Sequence, residues 1–179
     1  MRKVGVFLRA INLSGRRLLM ADFKRALEAA GHPDAQTVVA TGNAVIVAKA
    51  AGPALEARIE KALEATLGQS TEVFTRDGGQ LAAIVEANPF PQMARDDPSH
   101  LVVVFLNGEP GAENVAALQA KIKGPETVAA GPACLYACYP DDIGHSKLTA
   151  AMIERALKLR GTARNWNTVV KMADLARDS

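Results

Sequence analysis

Three short segments of this 179-residue chain occur twice in the same order, and that repetition constrains its fold more than any other feature. Phe7-Leu8 returns as Phe105-Leu106, Thr37-Val-Val-Ala40 as Thr127-Val-Ala-Ala130, and Ala57-Arg-Ile-Glu-Lys-Ala-Leu63 as Ala151-Met-Ile-Glu-Arg-Ala-Leu157. The offsets run from about 90 to about 98 residues, the period of a small domain rather than of a solenoid unit. The expectation is an internal duplication, with an N-terminal half over 1–90 and a C-terminal half over 91–179 that carries an extra terminal helix.

The pattern within each half points to one topology. In the first, Val4–Leu8 reads as a strand, Met20–Ala30 as a helix stopped by Gly31, Thr37–Ala40 and Ala44–Val47 as a hairpin, Pro53–Leu67 as a helix ended by Gly68, and Thr71–Thr75 as a strand. Gln80–Ala87 reads as a further helix, halted at Asn88-Pro89. The second half repeats this with a strand Leu101–Leu106, a helix Ala112–Ile122, a hairpin Glu126–Ala130 and Ala133–Tyr139, and a helix Ser146–Leu159. A short strand Thr162–Asn165 and a helix Thr168–Ala176 follow. Each half is β-α-β-β-α-β, so the expected fold is α+β: two tandem ferredoxin-like halves packed as one compact unit. Leu101-Val-Val-Val-Phe-Leu106 is apolar on both faces and needs cover on both, from the other half or from the extra helices.

Composition narrows the function. Aromatic residues are 4% of the chain and the net charge is +2, which argues against a base-stacking platform and gives no global pull towards nucleic acid or membrane. The charge is nonetheless uneven, basic at both ends of the chain and acidic between. No apolar run approaches the roughly 20 residues that span a bilayer, and the N-terminus runs straight into a strand, so a cytoplasmic protein is expected. Cys134 and Cys138 fall on one face of a strand but ~13 Å apart, too far for a disulfide or a shared metal. They read as buried thiols, and no Cys/His cluster has ligand spacing, so neither metal nor cofactor is expected.

Four polar stretches interrupt the apolar pattern at element ends, where binding groups concentrate. The first, Arg9-Ala-Ile-Asn12-Leu-Ser14-Gly15-Arg16-Arg17, offers a guanidinium able to hold a carboxylate or phosphate, or simply a surface loop whose Arg9 pairs with an acid. The second, Thr41-Gly42-Asn43, is explained as a hairpin turn and gains interest only beside Arg9. In the third, Tyr139 to Lys147, Ser146 suits a helix N-cap; Lys147 would then oppose the helix dipole unless an anion or Asp141 or Asp142 balances it. Gly-x-Ser-Lys lacks the rest of a phosphate-binding Walker loop, and His145 reads as a loop histidine. The fourth, Arg164-Asn165-Trp166-Asn167-Thr168, holds the only Trp. Asn167 or Thr168 can cap the following helix, with Trp166 packed beneath it.

At these stretches the chain resembles a bacterial family known as domain of unknown function 1697. Members of that family start with a strand and Arg-x-Ile-Asn-x-Gly-Gly, carry Gly-Asn between two strands, and continue with Gly-x-Ser-Lys-Leu and Arg-Asn-Trp-Asn-Thr. Here these are Arg9-Ala-Ile-Asn12-Leu-Ser14-Gly15, Gly42-Asn43, Gly144-His145-Ser146-Lys147-Leu148 and Arg164 to Thr168, and the Asn88-Pro89-Phe90 break also fits. Two departures stand out: Ser14 replaces a usual Gly, and His145 replaces a common Arg, removing a guanidinium there. The resemblance implies a fold and a set of marked positions, and no activity.

Three functions follow as expectations. The first is binding, with or without turnover, of a small anionic ligand such as a phosphate or nucleotide, by Arg9, Asn12, Asn43, Lys147, Arg164, Asn165, Trp166 and Asn167. The second is a nucleic-acid module, which the low aromatic content disfavours. The third is a purely structural seam, in which the same side chains hold the halves together. No nucleophile, base and acid are readable as a set, so no reaction is assigned.

Overall fold

In the computed structural model of the chain, residues 1–9, 12–13, 16–17, 19–38 and 42–178 are described. The elements in order are β1 (Arg2–Leu8), β2 (Asn12–Leu13), β3 (Arg16–Arg17), α1 (Met20–Ala29), β4 (Gln36–Thr37), β5 (Asn43–Ala48), α2 (Pro53–Leu67), β6 (Val73–Asp77) and α3 (Gly78–Glu86). There follow α4 (Pro91–Asp96), a single 3₁₀ turn (Pro98–His100), β7 (Leu101–Leu106), α5 (Ala112–Lys121), β8 (Thr127–Gly131), β9 (Cys134–Cys138), α6 (Ala150–Leu157), β10 (Gly161–Asn165) and α7 (Trp166–Leu175). The chain divides into two compact units, 1–82 with 171–179, and 83–170; the division falls within α3 and α7.

Both units carry the same sheet. In the first the strand order is β4-β5-β1-β6, and in the second β8-β9-β7-β10, with every neighbour antiparallel. With one helix before the second strand and one before the fourth, this is the ferredoxin-like β-α-β-β-α-β arrangement twice over. The fold is therefore α+β with two tandem halves, as the repeated segments imply.

Side-chain periodicity explains each core. Val4, Val6 and Leu8 of β1 with Ala44 and Ile46 of β5 meet Phe23 and Leu27 of α1 and Leu55, Ile59 and Leu63 of α2. The α2 residues recur every four positions and so form one stripe along the helix. The second unit matches it: Val102, Val104 and Leu106 of β7 with Leu135 of β9 meet Val115 and Leu118 of α5 and Ile153 and Leu157 of α6. Gly31 and Gly68, both in the left-handed region at φ +99° and +74°, terminate α1 and α2, where a side chain would be strained.

The opposite sheet faces are covered as well. All six residues of β7 are buried. In the first unit Gly5 leaves room for Leu81 of α3 and Met172 of α7, whose methyl carbons would sit 3.1 and 3.3 Å from an added Cβ. In the second, Tyr136 of β9 is fully buried and donates its phenol to the Ile84 carbonyl of α3 at 2.6 Å. Within each unit, then, helices beyond the basic topology supply the cover that the two-sided apolar strand requires.

Four local expectations change. The loop expected over residues 10–19 contains the two-residue ladder β2–β3, with Asn12 opposite Arg17. Helix α4 was not expected; its six residues are too few to show periodicity. Helix α6 begins at Ala150 rather than Ser146, and Thr149 is its cap, its hydroxyl accepting from Met152 N at 3.2 Å. Helix α7 begins at Trp166, so its cap is Asn165, whose Oδ1 accepts from Thr168 N at 3.0 Å.

Candidate functional site

The outer strand of each sheet, β6 in the first unit and β10 in the second, frames the site. A strand paired on one side presents every second N–H outward, and those amides need acceptors. In the first unit, β6 receives them from α2. Glu60 accepts from Val73 N at 3.0 Å, and Glu56 accepts from Thr75 N at 2.8 Å and from the Thr75 hydroxyl at 3.0 Å. Four residues along a helix rise about 6 Å and two along a strand about 6.6 Å, so two glutamates one turn apart match two outward amides. The Thr75 hydroxyl in turn accepts from Gly52 N at 2.8 Å.

The second unit repeats half of this clamp. Glu154, which aligns with Glu60 in the repeated helix segment, accepts from Gly161 N of β10 at 3.1 Å. Arg164 Nη1 donates to the Ala163 carbonyl at 2.8 Å, as Arg76 Nη1 donates to that of Thr75 at 2.8 Å. Asn165 caps α7 as Asp77 Oδ1 accepts from Gln80 N. The counterpart of Glu56, however, is Ala150, and that of Thr75 is Ala163. Where the first turn of α2 closes on β6, the second unit has a cavity of about 440 Å³.

Two sequence-marked stretches line that cavity. Gly144 and Ser146 come from the loop between β9 and α6, and Arg164 and Asn165 from β10. Its apolar wall is Val102, Val104, Leu148 and Ile153, with Tyr139 beside them. The Tyr139 phenol donates to the Leu148 carbonyl at 3.0 Å; burial, and then the charge of Glu126, push its pKa up to about 12, so it remains a neutral donor. Burial pulls the Arg164 guanidinium down to about 10, which leaves it cationic at neutral pH.

The same loop borders a second hollow of about 550 Å³, sharing Ser146 and Leu148 with the first. Lys121, Lys123 and Lys147 stand around it with Glu126 and His145. The Ser146 hydroxyl donates to Glu126 at 2.6 Å, and this bond foremost holds the carboxyl below its ordinary range. His145 is exposed and pairs with Asp142, whose carboxyl is lowered by that bond and then by the Gly144 amide.

The other sequence-marked residues are placed as follows. Arg9 pairs with Glu72 at 3.3 Å, and its backbone amide donates to the Glu72 carbonyl. Asn43 is fully buried at the start of β5 opposite Phe7. Leu8 N donates to the Gly42 carbonyl at 2.9 Å, so the Gly-Asn turn does lie next to Arg9. Thr41 lies outside the described residues, as do Ser14 and Gly15. Arg9, Asn12 and Asn43 stand in the first unit, whereas Lys147, Arg164, Asn165, Trp166 and Asn167 stand in the second. Trp166 is buried and Asn167 exposed. Lys121, Lys123 and Ala150 were not among the expected site residues. The exchange of Glu56 for Ala150 at matched positions of the repeat was the signal that marks the cavity. Among the described residues no group of three His, Cys, Asp or Glu could hold a metal ion.

A solved structure titled as that of the conserved bacterial protein SP0830 from Streptococcus pneumoniae is similar in fold. Its TM-score is 0.67 at 16% identity, over 98% of this chain and 99% of that one. No curated protein matches the chain in sequence. The family model described as "Protein of unknown function (DUF1697)" matches residues 1–136, ending ahead of the loop and strand that line the cavity. The chain belongs to the DUF1697 family.

Proposed function

We propose that the second unit binds a small anionic ligand against the loop between β9 and α6. One observation carries this reading: residues from two polar stretches marked in the sequence, Gly144 and Ser146 in one and Arg164 and Asn165 in the other, line a single cavity. Three lysines around the adjoining hollow face one glutamate there, and that excess of positive charge favours anions close to the loop. The residues have binding roles. Arg164 and the lysines attract the ligand, and the outward amides of β10 orient it. The function proposed is binding.

A thermal-shift screen against inorganic phosphate, nucleotides and small carboxylates tests the reading. At least one anion class is expected to raise the melting temperature in a dose-dependent way. The exposed triple variant Lys121→Ala/Lys123→Ala/Lys147→Ala is expected to fold normally and to respond more weakly, chiefly at low salt. A protein indifferent to every anion would refute the proposal.

A further inference from the structure

We infer that the ligand of this cavity is an apolar monocarboxylate, whose carboxylate takes the position that the Glu56 side chain fills in the first unit. The inference rests on the anion-binding reading above and specifies the anion. Its basis is the mismatch between the two edge-strand clamps. In the first unit, two outward amides of the edge strand, Val73 N–H and Thr75 N–H, are met by carboxylates of α2. In the second, Gly161 N–H is met by Glu154. Its partner two residues on, Ala163 N–H, has no acceptor among the described residues.

The direction of that amide follows from the ladder. Asn107 N donates to the Arg160 carbonyl, so even-numbered residues of this strand face β7 and odd-numbered ones face away. Ala163 N–H therefore points outward, as Thr75 N–H does, and Ala163 lines the cavity. Ala150 lines it too, where a glutamate would reach across. The chain thus keeps the donor of a carboxylate contact and lacks the acceptor, with space between them for a molecule that supplies it.

The remaining walls decide the rest of the ligand. Val102, Val104, Leu148 and Ile153 reward an apolar body, since burial of hydrocarbon stabilises by about 25 cal/mol per Å². Arg164 and Glu154 both line the space, one cation and one anion, so their charges cancel and the lining tolerates one added negative charge better than two. A dianionic phosphate, or a second carboxylate near Glu154, meets repulsion instead. The three lysines of the neighbouring hollow favour approach of anions in general and do not select among them.

The test uses the full chain, ¹⁵N-labelled, titrated separately with hexanoate, benzoate and inorganic phosphate. Hexanoate or benzoate is expected to move the Ala163 amide proton downfield and slow its exchange with solvent, while phosphate leaves that amide in place. Ala150→Glu is expected to raise the melting temperature, to reproduce the downfield Ala163 amide without ligand, and to weaken hexanoate binding about tenfold or more, the equivalent of one well-made charged hydrogen bond. If phosphate binds but neither carboxylate does, the anion reading stands and this inference falls. If no anion binds, both fall. Carboxylate binding that bypasses the Ala163 amide overturns the inference, and that wild-type measurement decides the matter even if the Ala150→Glu protein fails to fold. Full retention of hexanoate affinity in a folded Ala150→Glu protein overturns it equally.

Discussion

The side chains with the clearest roles act through single hydrogen bonds whose loss has a definite cost. Glu56 satisfies both the amide and the hydroxyl of Thr75. Replacing it by Ala is expected to destabilise the protein by about 1–3 kcal/mol in denaturant unfolding, because two donors lose their acceptor. Thr149→Ala is expected to cost about 1 kcal/mol, as loss of a helix cap does, whereas Ser146→Ala should not behave as a cap deletion. The sequence suggested Ser146 as the cap, because it opens the segment that reads as a helix to Leu159. What it did not show is that the Ser146 hydroxyl is committed to Glu126 and to Leu148 N, a partnership between segments 20 residues apart. Arg9 illustrates the same gap: its exposure at a strand end was readable, while its ion pair with Glu72 depends on β6 arriving alongside β1.

At the scale of elements, periodic and β-rich segments were readable and the shortest elements, β2, β3 and α4, were not. Helix α2 and strand β7 have the limits their patterns imply, bounded by Pro53 and Gly68 in one case and by apolar continuity in the other. Helix α4 has neither length nor an apolar stripe to announce it. The loop between β9 and α6 is held by carboxylates, which makes it sensitive to acid. Glu126 and Asp142 both have lowered pKa values, chiefly through Ser146 and His145 respectively. A carboxyl depressed in the folded state stabilises it above the unfolded pKa, and that contribution is lost as pH falls through the folded value. The loop is therefore expected to keep its structure from neutral pH down to the ordinary carboxylate range and to loosen below it, before the sheet does. Carboxyl ¹³C titration together with amide exchange at Gly144 and Ser146 measures this; a loop that loosens first above pH 6 would contradict the assignment. Strand β9 gives a complementary expectation. Neither Cys134 nor Cys138 forms a disulfide, both are buried, and burial raises the Cys138 thiol. Both should resist an aqueous thiol reagent in the native protein and react on unfolding.

For the molecule as a whole, the two-fold repetition visible in three short matches extends to the sheet order, to half of the edge clamp and to the Asp77 and Asn165 caps at the strand ends. The sequence could indicate that a second sheet face needed cover, because β7 is apolar on both sides, but not whether the other half or α3 and α7 would provide it. Those helices end after few periodic residues, and their partners lie far along the chain. With Gly5 and Tyr136 packed beneath them, neither sheet offers an open aromatic face, so weak or no retention of single-stranded RNA is expected even at low salt. Among the described residues, no helix is long and apolar enough to cross a membrane. The duplicated frame instead leaves one difference that matters: a position filled by Glu56 in one unit and by Ala150 in the other. The most direct test of anion binding at that difference is a ¹⁵N chemical-shift map of the whole chain titrated with small carboxylates and phosphate. The residues that move are expected to cluster at Gly144, Ser146 and Ala163 to Asn165. Anion-induced shifts confined to Arg9, Asn43 and the rest of the first unit, or no shifts at all, would contradict it.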